Sequence, residues 1–184
     1  NLGSIWKILI IALGISLAST CVLSILFNKM DADFLDSLLG ILMMPLGIGT
    51  TAFFVSLIEN ENFEAKDLFK YYHDFVKIIG VTILMGLIIT LGYICFIIPG
   101  IILTLSYSLV PIILIKKPEL GIVETLKYSR EKMQGHKLDT FVLGLSFIGW
   151  AILGTLTFGI LYIWLYPYMQ LTFTKFYLNI LGEE

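Results

Sequence analysis

The chain has 184 residues, 58% hydrophobic and only 14% charged, with a net charge of −2 and a mean hydropathy of +0.91. Soluble domains carry about a quarter charged residues, and a chain this apolar exceeds what a single core can bury. A water-soluble domain, disorder, collagen and coiled coil are excluded, and the near-neutral charge balance leaves no positive excess for nucleic acid. What remains is an all-α polytopic membrane protein, read as one integral membrane domain over residues 1–184.

About 20 apolar residues cross a bilayer as a helix. Six runs approach that length: 8–27, 34–58, 78–98, 101–115, 138–156 and 160–181. No alternating pattern suggests a barrel, so the spans are helices whose backbone groups are satisfied internally. Pro99-Gly100 is read as a tight turn between the third run and the fourth, which is short enough to be re-entrant instead of spanning, and Gly159 as a turn or a point of close approach between the fifth and sixth. Pro167 removes a backbone donor and is expected to bend the last span. The first run is too long, and too soon followed by others, for a cleaved signal peptide. Because the chain starts at Asn1 instead of Met, residues before it are expected.

Orientation follows from basic residues in the connections. With six spans as three hairpins, eleven of the twelve Lys and Arg residues fall on one face, and Lys29 alone on the other. Both termini are therefore expected to be cytoplasmic. The outward connections are a few residues each and hold no external domain.

Two inward connections read as amphipathic helices lying at the interface, 62–77 and 118–134. In the first, Ala65, Leu68, Phe69, Tyr72, Phe75 and Val76 form the apolar stripe, and Asn62 is the expected N-cap. In the second, Pro118 opens the helix, Gly135 stops it, and Ile122, Val123, Leu126 and Met133 form the apolar side. Lys116, Lys117, Lys127, Arg130, Lys132 and Lys137 make this stretch the main basic surface. A weak internal repeat accompanies the hairpins: Gly47-Ile48, Gly100-Ile101 and Gly159-Ile160 are each followed seven residues after the glycine by an aromatic, Phe54, Tyr107 and Tyr166.

The middles of the spans carry no ionisable residue, which argues against pumps, proton-coupled carriers and intramembrane hydrolases. Small residues spaced by four, at Ala12, Ser16, Thr20 and Ser24 and at Thr82, Gly86 and Thr90, read as helix-packing faces. Gln170 is the one interior polar group with several donors and acceptors, expected either on the carbonyl that Pro167 frees or against a ligand. Trp150, Trp164 and Tyr168 read as membrane anchors or packing residues. Cys21 and Cys95 lie in apolar runs, and His73 and His136 have no partner at metal-ligand spacing. Ser129, Lys127 and His136 share a segment, but on a solvated helix face with no orienting acid. No nucleophile elbow, zinc-hydrolase motif or phosphate loop occurs. No cofactor and no enzymatic activity are expected.

From Pro99 onward a set of spaced residues stands out: Pro99-Gly100-Ile101, Pro111, Thr125-Leu126-x-x-Ser129, Gly135, Phe147-Ile148-Gly149-Trp150-x-x-Leu153, Leu156-Thr157-x-Gly159-Ile160, Trp164-Leu165-x-Pro167-Tyr168 and Phe176-Tyr177. This set resembles the bacterial integral membrane family catalogued as domain of unknown function nine-seven-five, common in Gram-positive bacteria, and Asp67-Leu68-Phe69 fits it too. A more distant resemblance is to the membrane portion of some glycerophosphodiester phosphodiesterases, whose catalytic domain is soluble and separate. The resemblance implies a six-helix bacterial cell-membrane protein with no assigned activity.

Two functional expectations stand side by side. One is a non-catalytic membrane protein acting through contact with anionic lipid headgroups, a membrane-protein partner or a second copy, in an accessory, regulatory, stress or immunity role. The other is a small carrier or lipid-handling protein for a neutral or amphiphilic molecule, framed by the pseudo-repeated hairpins.

Overall fold

The computed structural model describes residues 2–26 and 32–182, and among these every regular element is helical. Helix α1 is Leu2–Leu26 and α2 is Ala32–Ile58; a 3₁₀ helix, Ala65–Tyr72, follows. Then come α3 (Phe75–Cys95), α4 (Ile97–Ser106), α5 (Val110–Lys116), α6 (Ile122–Lys132), α7 (Lys137–Ser146), α8 (Ile148–Leu156) and α9 (Tyr162–Leu181). Four stretches are long and apolar enough to cross a membrane: Leu39–Ile58, Phe75–Cys95, Ile97–Lys116 and Lys137–Leu156. Residues 8–26 of the first run and 162–181 of the last are also helical, within α1 and α9. Most of the 28–33 connection, with Lys29, lies outside the described residues, as do the side chains of Ser16, Thr20 and Ser24.

The core is a row of apolar clusters. Ile8 of α1 joins Leu46, Phe53 and Phe54 of α2 and Leu68 of the 3₁₀ helix. Ile48 meets Ile78 and Val81 of α3, with Tyr107, Val110 and Leu126. Val55 meets Leu109, Ile112 and Ile113, together with Met133 of α6 and Leu178 of α9. Many other large apolar side chains, such as Ile10, Ile83, Leu87, Ile94 and Ile152, are left uncovered by the rest of the chain. That is the inverse of a water-soluble surface and suits hydrocarbon as solvent.

Several boundaries differ from the sequence reading. Chain reversal after α3 occurs at Phe96, which is extended, and not at Pro99-Gly100. Pro99 sits in the first turn of α4, where a missing N–H leaves no intrahelical bond unmade. Gly100 is needed for close approach: a Cβ there would collide with the Tyr93 ring, and one on Gly92 would lie 3.2 Å from the Gly100 Cα. By contrast, a Cβ on Gly86 would meet nothing within 4 Å and Thr90 is exposed, so the Thr82, Gly86 and Thr90 row is not a packing face within the chain.

The Gly159 turn is present, but its helix stop rests on Phe158. Phe158 is left-handed (φ 53°), and the Gly159 and Phe158 N–H groups donate to the Gly154 and Thr155 carbonyls at 2.9 and 3.2 Å. This double bond pattern closes α8 in the Schellman manner. The three repeat glycines do different jobs. Gly47 lies inside α2 facing open space, Gly100 permits a helix contact, and Gly159 has a positive φ.

The two connecting helices are shorter than expected. The first is capped by Glu64, not Asn62: its N–H donates to the Asp67 carboxylate at 2.9 Å. Three residues per turn bring Ala65, Leu68 and Tyr71 to one side, and Leu68 is fully buried there while Phe69 and Val76 are exposed. The second begins at Ile122 after a turn that holds Pro118, and Gly135 (φ 89°) follows its end. Met133 and Leu126 are buried as expected, whereas Val123 is exposed.

Candidate functional site

The charged residues converge where α2, α5, α6 and the 3₁₀ helix meet. Their position depends on a break in the Ile97–Lys116 stretch: α4 stops at Ser106 and α5 resumes at Val110. Such a break strands carbonyls that must be satisfied if buried. Helix α6 supplies one donor, since the buried Ser129 hydroxyl donates to the Ser106 carbonyl at 2.9 Å. Thr125, also buried, bonds the Gly121 carbonyl at 2.9 Å. The Ser129 hydroxyl is thus a structural tie, and the expected solvated face is wrong for it. With Thr125, Leu126, Ser129 and Met133 facing the bundle, Lys127, Arg130 and Glu131 are left exposed.

Around α6 the cations have different partners. Lys116, at the end of α5, pairs with Glu59, just past α2, and both side chains are largely buried. Lys77 donates to the Pro118 carbonyl and ties the start of α3 to the α5–α6 turn. Lys127 lies 4.0 Å from Glu131 on the exposed face. Lys117 and Lys132 both sit on the Tyr128 ring, 4.9 and 5.8 Å from its centroid. Among the described residues, neither has a carboxylate within ion-pairing distance. Two ammonium groups held over one ring leave an unneutralised positive site. Lys137 opens α7, beside His136, whose Nδ1 is 3.8 Å from the Asp139 carboxylate.

On the other side of the Glu59–Lys116 pair is a cavity of about 360 Å³, with polar groups making most of its wall. Glu61, Asp67, Lys70 and Tyr71 line it with the ion pair, over a floor of Val55, Phe63 and Ile115. Its outer wall is the 3₁₀ helix, which runs back along α2. Phe63 stacks edge-on against Phe53 at 5.5 Å, Leu68 lies against Gly49, and the Tyr72 hydroxyl donates to the Leu42 carbonyl at 3.0 Å. Leu42 is three residues before Pro45, inside the helix that continues through the proline. Burial, reinforced by the Asp67 and Glu61 carboxylates, pushes the Tyr71 hydroxyl above its usual pKa, so it is a neutral hydrogen-bonding group at physiological pH. Among the described residues, no group of three or more metal-ligating side chains converges.

The remaining singled-out residues lie elsewhere. Trp150, Trp164 and Tyr168 are exposed, so none of them fills the core of the chain. Pro167 is buried within a helix that continues through it. Gln170 is half-buried, and no hydrogen bond joins it to the Ile163 carbonyl that the proline leaves without its usual donor. Sequence reasoning missed the pairing of Glu59 and the place of Tyr71 in the cavity, and it put Tyr72 on the apolar stripe without its bond to Leu42. The signal for Glu59 and Lys116 was that the first charges after two apolar runs are of opposite sign.

The family model described as protein of unknown function (DUF975) matches residues 93–184, from the last turn of α3 to the end of the chain. That is half of the sequence. The chain belongs to this family. The DUF975 match takes in the broken α4–α5 stretch, α6 with its tie to Ser106, and α7 to α9. It does not extend to Asp67-Leu68-Phe69 or to the 3₁₀ wall of the cavity. No curated protein and no solved structure matches the chain.

Proposed function

We propose that the protein is a non-catalytic integral membrane protein of the bacterial cell membrane, acting through anionic lipid headgroups at its charged end in an accessory or regulatory role. In this reading six helices cross the membrane as three hairpins and both termini are cytoplasmic. The observation that carries it is the pair Lys117 and Lys132 on the Tyr128 ring without a carboxylate, beside exposed Lys127 and Arg130. A phosphate-bearing headgroup is the natural counter-charge for such a site at a membrane surface. The likeness to the membrane portion of glycerophosphodiester phosphodiesterases belongs to the same proposal, as shared membrane architecture with no catalytic step drawn from it.

The test is lipid selectivity in reconstituted bilayers, read with spin-labelled phosphatidylglycerol against phosphatidylcholine. The wild type should prefer phosphatidylglycerol, and added salt should erode that preference. Lys117→Gln and Lys132→Gln should each cut it about fivefold, the weight of one lysine at an anionic surface, and charge reversal at Lys127, Arg130 and Lys132 should abolish it. Equal selectivity in all variants would overturn the proposal.

A second reading, a carrier or lipid-handling protein for a neutral or amphiphilic molecule, is favoured by one feature, the polar cavity over an apolar floor. Flux of labelled lipid or solute from loaded vesicles, compared with protein-free vesicles, decides between the two.

A further inference from the structure

Between α4 and α7 runs a groove of about 290 Å³ with no polar wall. Ile98, Ile101, Ile102 and Leu105 line one side, Leu138 and Phe141 the other, and Lys137 stands at the start of α7. Lys137 and Leu138 also border a neighbouring hollow with Gln134 and Gly135, so the apolar groove is continuous with polar groups of the α6–α7 turn. Both walls belong to stretches apolar enough to cross a membrane, Ile97–Lys116 and Lys137–Leu156. A dry apolar groove between two such stretches is filled by hydrocarbon at no cost in desolvation.

The lysine decides what kind of lipid fits. Lys137 is half-buried, with its stem against apolar surface, as lysines at membrane boundaries are. Among the described residues no carboxylate pairs with it; the nearest acidic residue in sequence, Asp139, lies 3.8 Å from His136. A zwitterionic headgroup brings its own cation and leaves the ammonium uncompensated, whereas a net-anionic headgroup neutralises it.

We propose that this groove holds an acyl chain of one phospholipid whose anionic headgroup sits at Lys137. The inference rests on the lipid reading above and deepens it, replacing diffuse attraction with one defined site. The diffuse attraction is assigned to Lys117, Lys127, Arg130 and Lys132 and the groove to Lys137, so the two are separable.

The experiment is native mass spectrometry of the full chain in a neutral detergent, with phosphatidylglycerol and phosphatidylcholine of identical acyl chains in equal amounts. The wild type should retain one phospholipid and favour phosphatidylglycerol. Lys137→Gln should reduce that preference about fivefold while a lipid is still retained. Ile102→Trp, which fills the groove, should lose both lipids. Lys137→Gln replaces a side chain at the groove's edge, so its readout stands even if the tryptophan variant fails to fold. Lys117→Gln with Lys132→Gln should leave the retained lipid unchanged. If that double variant loses the lipid and Lys137→Gln keeps the full preference, the groove site is overturned and the diffuse surface stands. No lipid retained by the wild type overturns the groove as well.

Discussion

At the residue scale, two glycines of one helix separate what is needed from what is tolerated. A Cβ on Gly49 would lie 2.6 Å from the Leu68 carbonyl oxygen, a backbone atom that cannot swing aside. On Gly47, one half-turn earlier, a Cβ would meet nothing within 4 Å. Gly49→Ala should therefore destabilise by about 1–3 kcal/mol, as overpacking does, and push the 3₁₀ helix off α2. Gly47→Ala should stabilise by about 1 kcal/mol through helix propensity. Thermal unfolding in detergent reads both, and a Gly49→Ala variant as stable as the wild type would refute the contact. Sequence alone shows Pro45, Gly47 and Gly49 close together within one apolar run. It could not rank them, because the partner of Gly49 reaches it only through the path of a later connection.

At the element scale, α6 holds a broken span together, and its hydroxyl tie has a measurable weight. Ser129→Ala removes the donor to the buried Ser106 carbonyl, and leaving such an acceptor unpaired costs about 1–3 kcal/mol. Lys127→Ala, on the exposed face, should change stability by less than about 0.5 kcal/mol. Denaturant titration monitored by tryptophan fluorescence distinguishes them, and equal effects would mean that α6 is not anchored by this bond. The apolar stripe of α6 was legible because its period is that of an α-helix. The 3₁₀ helix was not. Its residues fit a 3.6-residue period on paper, but the chain turns every three residues, buries Leu68 and turns Phe69 outward. Its contacts with Phe53, Gly49 and Leu42 bring it along α2, a tertiary preference that no local pattern encodes.

At the scale of the whole molecule, composition argues against a soluble surface, since too few charged residues exist to cover one, and the helical class follows from long apolar runs without alternation. Four spans are also apparent from apolar length alone. The last helix is harder to classify, because Tyr, Thr, Gln and Lys175 dilute its apolarity while its aromatics suit an interface. The proposed six-span topology makes a sided prediction that this ambiguity does not blur. Phe158 is 98% exposed at the α8–α9 turn, and Glu131 is exposed on α6. Between them lies Lys137–Leu156, whose 20 residues extend about 30 Å as helix, one hydrocarbon thickness. With Cys21 and Cys95 replaced by serine, Phe158→Cys should react with an impermeant maleimide added to intact cells. Glu131→Cys should react only after the cells are permeabilised. The reverse pattern would invert the orientation, moving the Tyr128 lysines away from the anionic cytoplasmic leaflet that their proposed role requires. Labelling of both positions from outside would mean that the α7–α8 stretch does not cross, leaving the α4–α7 groove without a membrane to fill it.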